Sequence, residues 1–374
     1  MKNDIKGICM SIIDGRYIGA GEKNLYVKLS GIGDPPVVLE PAMGSVSSEW
    51  WKIHEVLAQK TSVISYDRAG YAESPKRKVN RNTKEIAMEL FNMLRNTEVP
   101  GPYLLVGHSF GGLVMQHFAK MFPHQVAGIV FVDSITVDDP EFDKLDAPNY
   151  QQNVSMKARM NNIKKLVELD KEDFAEYVSP MLQNLYENFP EEIAAQIIAY
   201  QSDKTLYETI LDEFENLHES IDMIKDISEF PNVPVNVLCR DFEIMVNLSK
   251  EIGLPEDEAR LVEEQWLKNS KKLLDLSTES SFSIVRNSNH SMHLSRPDVI
   301  IDTVDKMIDD NAKHFRGLLY DQTRSRAKEM VDQILTELDA ELGTDFASIE
   351  FSWMDYDDMI DALMEDHAEE QSVE

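Results

Sequence analysis

The residues with the most chemical content lie in Val106-Gly107-His108-Ser109-Phe110-Gly111-Gly112. Glycines two before and two after Ser109 fit a strand-to-helix turn too tight for side chains, which holds the serine in a strained, exposed position. An apolar strand pattern leads into the motif, and a helical one (Leu113, Val114, Phe118) leads out. The start of that helix favours negative charge developing beside the serine. The chemistry on offer is attack of a hydroxyl on an acyl carbon. An alcohol is a poor nucleophile at neutral pH, so Ser109 needs a base, and the base needs an acid to orient it.

For a serine on such a turn, the partners follow in the order acid, then histidine. His290, His293, His314 and His367 come late enough in the chain. His290 closes the polar run Arg286-Asn287-Ser288-Asn289-His290, between an apolar strand pattern and a helix starting near Pro297, where a base must lie. His293 is the rival and reads as a surface or helix-entry residue. The acid should follow the strand Val235–Cys239, which makes Asp241 the first choice. Glu243, on a longer turn, and Asp133, at the end of the preceding strand, are the alternatives. Two backbone N–H groups must face the oxyanion. Phe110 supplies one. The loop Pro41-Ala42-Met43-Gly44-Ser45 supplies the other, assigned to Met43, since proline has no N–H.

These groups need a sheet to hold them. Short apolar runs at Val37–Leu39, Ser62–Tyr66, Tyr103–Val106 and Ile129–Val132 alternate with helical patterns, as in a mostly parallel sheet covered on both faces. Asn82-Thr83-Lys84-Glu85 reads as a capping box opening a helix with Ile86, Ala87, Leu90, Phe91 and Leu94 inside. From 135 to 233 strand signals stop and helical periods take over; strands resume at Val235–Cys239 and Phe282–Val285. The expected organisation is an α/β core over 1–134 and 234–315, a helical lid over 135–233, and an acidic helical extension over 316–374.

Several segments, in order, resemble the α/β-hydrolase superfamily, and among its members bacterial serine hydrolases. They are Val38-Leu39-Glu40-Pro41-Ala42-Met43-Gly44, Ser65-Tyr66-Asp67-Arg68-Ala69-Gly70-Tyr71, Gly107–Gly112, and His290 through Arg296-Pro297-Asp298. Ala42 and Asn289 stand where that family usually has glycine. In the family pattern Tyr66–Gly70 is a scaffold turn. The resemblance implies a central, mostly parallel sheet and a serine hydrolase that needs no metal or other cofactor.

Of the net charge of −30, residues 135–233 carry −14 and residues 316–374 carry −13, leaving a near-neutral body. Such a surface repels phosphate backbones and anionic lipids, which argues against nucleic-acid and membrane partners. Cys9 and Cys239 cannot build a disulfide framework, and no secretory or membrane-spanning apolar run is read, so the cytoplasm is the expected location. The leading function is cleavage of carboxylic esters through an acyl-enzyme, with neutral or cationic acyl substrates favoured by the acidic lid. An aminopeptidase-type amide hydrolase is the alternative enzyme. A weakly catalytic ligand-binding module that signals or self-associates through the extension is the alternative of another class.

Overall fold

The computed structural model describes residues 15–182 and 185–311. Eight strands form one sheet: β1 (Arg16–Gly19), β2 (Asn24–Ser30), β3 (Val37–Glu40), β4 (Val63–Tyr66), β5 (Tyr103–His108), β6 (Val126–Val132), β7 (Val235–Cys239) and β8 (Ser280–Ile284). Their order across the sheet is β1-β2-β4-β3-β5-β6-β7-β8. β1 and β2 are antiparallel to each other, and β2 is antiparallel to β4; from β4 to β8 all pairs are parallel.

The apolar runs of the central strands follow from burial on both faces. Leu105, Ile129, Phe131 and Val237 point into one core, with Leu90 and Phe118 of the helices Thr83–Arg95 and Phe110–Met121. Leu104, Val106, Val130 and Val132 point into the other, with Trp50, Ile53, Ile300 and Val304. Side-chain alternation along each strand divides it between the two cores. The Thr83 helix starts as its sequence suggests, with Asn82 Oδ1 accepting from Glu85 N at 3.0 Å.

Residues 135–233 are helical, with seven α-helices from Pro148–Asn153 to Leu217–Asp226 among the described residues. Leu166, Phe174, Val178, Ile197, Leu206 and Ile210 form this segment's own core, which closes over Val46 and Tyr71 of the sheet domain. Among the described residues, the body and this insertion lie within one compact unit that ends at Ile308. The acidic extension expected over 316–374 lies outside the described residues. Two helices not foreseen in the sequence, Phe242–Glu251 and Glu256–Lys272, connect β7 to β8.

Candidate active site

Ser109 follows β5 directly, with φ 53° and ψ −120°, a backbone conformation that side-chain-bearing residues seldom adopt. Crowding fixes the glycines around it. A Cβ on Gly107 would lie 2.7 Å from the Gly111 carbonyl oxygen, and one on Gly111 would lie 2.5 Å from that of Pro41.

β8 ends at Ile284, and the turn that follows brings His290 to the serine. His290 Nε2 lies 3.1 Å from Ser109 Oγ, and His290 Nδ1 lies 2.6 Å from Asp133 Oδ2. The partners assign the tautomer: Nδ1–H donates to the carboxylate, and Nε2 accepts from the serine hydroxyl. His108 holds the loop from behind, its Nε2–H donating to the His290 carbonyl at 2.7 Å.

The carboxylate on His290 is therefore Asp133, the alternative from the end of β6, and Asp241 does not reach the imidazole. Asp241 instead caps the helix Phe242–Glu251, accepting from Glu243 N at 3.1 Å, and accepts from Asn287 N at 3.0 Å. Both its oxygens serve backbone donors, one of them in the turn that carries the histidine. Glu243 faces outward and pairs with Arg260 at 3.0 Å. His293 departs from the surface reading as well. It is 5% exposed, packs against Trp50 and His108, and its Nε2 lies 3.4 Å from Glu49 Oε2.

Asp133 is buried and richly solvated by protein. Oδ1 accepts from Trp266 Nε1 at 2.8 Å and from Arg240 N at 3.2 Å; Oδ2 also meets Arg240 Nη1 at 3.3 Å. Burial alone would push this carboxyl up. The charge of Arg240 and the bond from His290 outweigh that and hold it at about 2. Arg240 is fixed in turn by two bonds to Glu263, at 2.9 and 2.6 Å, and its guanidinium lies 3.9 Å from the centre of the Trp266 ring. Sequence reasoning missed Arg240, Glu263 and Trp266 as site residues. Arg240 sits next to Asp241 and could have been found there; Glu263 and Trp266 sit inside an ordinary amphipathic helix and carry no local signal.

The loop Pro41–Ser45 packs against the start of the serine helix, as the Pro41–Gly111 approach requires. Phe110 is the first helical residue after Ser109. Met43 lies in the turn between Ala42 and Gly44. Ala42 O accepts from Arg68 Nη2 at 2.8 Å, and Gly44 N donates to Tyr71 Oη at 3.1 Å.

A cavity of about 140 Å³ opens at Ser109 and His290. Its walls include Ile135, Phe142, Leu254 and Val262, with Asp139, Arg159, Arg240 and Glu263 as charged members. Burial, reinforced by Asp143, pushes the Asp139 carboxyl up to about 7 against the pull of Arg159. Among the described residues no cluster of three or more His, Cys, Asp or Glu side chains could hold a metal ion, and no helix is long and apolar enough to cross a membrane.

Comparison with known proteins agrees with this geometry at the level of the fold. Residues 35–208 match the alpha/beta hydrolase fold family. YqjL of Bacillus subtilis is 28% identical over 106 residues, 28% of this chain and 42% of YqjL. The chain thus spans less than half the length of the first curated relatives it matches, 18%, 42% and 43% of theirs. The epoxide hydrolase CorEH superposes with a TM-score of 0.58 at 18% identity, covering 79% of this chain and 98% of that one. CarC, a serine hydrolase involved in carbazole degradation, superposes with a TM-score of 0.51 at 16% identity, over 79% and 98%. With its sheet order, its strand-borne serine turn and these matches, the chain has the α/β-hydrolase fold.

Proposed function

We propose that this protein is a serine hydrolase that cleaves carboxylic esters through an acyl-enzyme on Ser109. One observation carries the reading: Ser109 Oγ, His290 Nε2, His290 Nδ1 and Asp133 Oδ2 lie in a hydrogen-bonded line, with steps of 3.1 and 2.6 Å between residues. In the forward step Ser109 Oγ attacks the ester carbonyl while His290 Nε2 takes its proton. Asp133, held ionised by Arg240, stabilises the imidazolium that results. The negative oxygen of the tetrahedral intermediate is met by the N–H groups of Phe110 and Met43. His290 then returns its proton to the leaving alkoxide as the C–O bond breaks. A water deprotonated by the same nitrogen attacks the acyl carbon, and Ser109 leaves as the free hydroxyl.

CorEH is an epoxide hydrolase, but ester chemistry suits this site better because position 109 holds a hydroxyl rather than a carboxylate. The mainly apolar cavity favours a compact, uncharged acyl group. The cationic preference expected of the acidic insertion gains no support from the cavity, where Arg159 and Arg240 accompany Asp139 and Glu263. A fluorophosphonate probe followed by peptide mapping tests the nucleophile, and a panel of acyl esters against aminoacyl amides tests the substrate class. Absence of label on Ser109, or faster turnover of the amides, would remove the ester reading.

A further inference from the structure

Glu213 sits on the helix Lys204–Glu215 of the insertion, and its side chain is fully buried against the sheet domain. Oε1 accepts from Arg68 Nε at 3.2 Å, and Oε2 accepts from Tyr71 Oη at 2.5 Å. Both partners continue to the oxyanion loop. Arg68 Nη1 donates to Pro41 O at 2.7 Å, Arg68 Nη2 donates to Ala42 O at 2.8 Å, and Tyr71 Oη accepts from Gly44 N at 3.1 Å.

The peptide unit is planar and trans, so the Ala42 carbonyl and the Met43 N–H point in opposite directions. Fixing the Ala42 carbonyl on Arg68 therefore fixes the direction of the Met43 N–H. Gly44 N, on the other side of Met43, is fixed by Tyr71. Two side chains thus clamp the turn on both flanks of the donor, and one carboxylate sets the orientation of both. Glu40 binds Arg68 too, at 2.6 Å through Nη1, but not the Tyr71 hydroxyl. Of the two carboxylates on Arg68, only Glu213 holds both clamps, and it comes from the insertion.

We infer that Glu213 is a positioning residue for the oxyanion loop, so that the helical insertion sets the aim of the Met43 N–H as well as covering the site. This rests on reading Ser109 as the nucleophile and Met43 as an oxyanion donor. A neutral substitute would leave the Arg68 fork with Glu40 as its only ionic partner and deprive the Tyr71 proton of its strong acceptor. The loop would then sample orientations in which the Met43 N–H misses the oxyanion, a loss felt in the transition state and hardly in substrate binding.

The test compares wild type, Glu213→Gln and Tyr71→Phe on p-nitrophenyl butyrate, with active sites counted by fluorophosphonate titration. Glu213→Gln should lower kcat per titrated site by roughly tenfold to a hundredfold, within the range for impairing one oxyanion donor. KM should change by less than about threefold, and affinity for a trifluoromethyl ketone, whose adduct places an oxyanion in the hole, should fall in parallel with kcat/KM. Tyr71→Phe, which keeps the Arg68–Glu213 pair, should show the same pattern with a smaller drop. Glu208→Gln, on an exposed face of the same helix, should leave every value unchanged.

A purely structural role for Glu213 would lower the number of titratable sites while kcat per site and the ketone affinity stayed at wild-type values, and that result overturns the inference. If Glu213→Gln does not fold, Tyr71→Phe decides: an unchanged kcat per site and ketone affinity overturn it. Wild-type protein that fails to label at all would overturn the serine hydrolase reading and this inference with it. Normal labelling with unaffected variants overturns this inference alone.

Discussion

β6 and β7 run side by side, and each delivers an aspartate to the same end of the sheet, Asp133 one residue after β6 and Asp241 two residues after β7. Asp133 gives its oxygens to an imidazole, a guanidinium, an indole and one peptide N–H. Asp241 gives its oxygens to two peptide N–H groups, one at a helix start and one in the histidine turn. The first carboxylate is set among charged and polarisable side chains. The second is tied into backbone and holds shape. Two like residues at neighbouring strand ends thus divide the work of orienting a histidine, one directly and one by shaping the loop that carries it.

The comparison rests on a working serine and histidine. Ser109→Ala and His290→Ala should each remove nearly all esterase activity while the fold persists, a loss of about 10⁴-fold or more in kcat. The double variant should be hardly worse than either, because the two act as a unit. Activity of Ser109→Ala near that of wild type in a p-nitrophenyl ester assay would end the assignment.

The most direct attempt to break the contrast exchanges the two aspartates for asparagine. Asp133→Asn should cost about 10³–10⁴ in kcat, since the amide no longer holds the imidazole in its tautomer or balances its charge. Asp241→Asn should cost less than about tenfold, with a fall in Tm from the weakened helix cap. A larger kcat loss in Asp241→Asn than in Asp133→Asn would reverse the roles given to the two turns.

Trp266→Phe sharpens the picture on the β6 side. It keeps an aromatic face beneath Arg240 and removes the N–H that Asp133 receives at 2.8 Å. The expected loss is roughly fivefold in kcat, the equivalent of about 1 kcal/mol for one hydrogen bond. An unchanged kcat would mean that Arg240 and His290 alone suffice for Asp133.

The smallest effect expected is on pH dependence. The native value of Asp133, about 2, lies below that of an unfolded aspartate. Its contacts therefore contribute stability above the unfolded value of about 3.9, lost as pH falls through about 2, and the acid limb of activity does not come from Asp133. Asp139, pushed up to about 7 in the cavity wall, behaves otherwise: it is neutral below that pH and charged above it. KM for an ester with an anionic acyl chain should rise by roughly threefold as pH passes upward through that point, the order expected of one partly screened charge. KM for an uncharged ester should stay flat. The same rise in Asp139→Asn would trace the effect to another group.

The sequence by itself determined the sheet-and-helix core, the serine turn and the histidine loop. β3 to β7 are buried on both faces or nearly so, and that burial writes itself as mostly apolar runs. Gly107 and Gly111 mark a turn where a Cβ cannot fit. The hairpin β1–β2 was not legible: it lies at the sheet edge, and its burial alternates through mixed, half-exposed residues. Tertiary structure alone decided the acid. Asp133 and Asp241 follow adjacent strands, and no local pattern separates them. The choice depends on the path of the chain from β8, whose turn brings Asn287 N to Asp241 and the His290 ring to Asp133. Tertiary structure also brought Trp266 and Glu263 to a site 133 and 130 residues from Asp133, and Glu213 to Arg68 across 145. Helix packing makes such contacts, and amphipathic periodicity records which face of a helix is buried, not which residue of another segment it will meet.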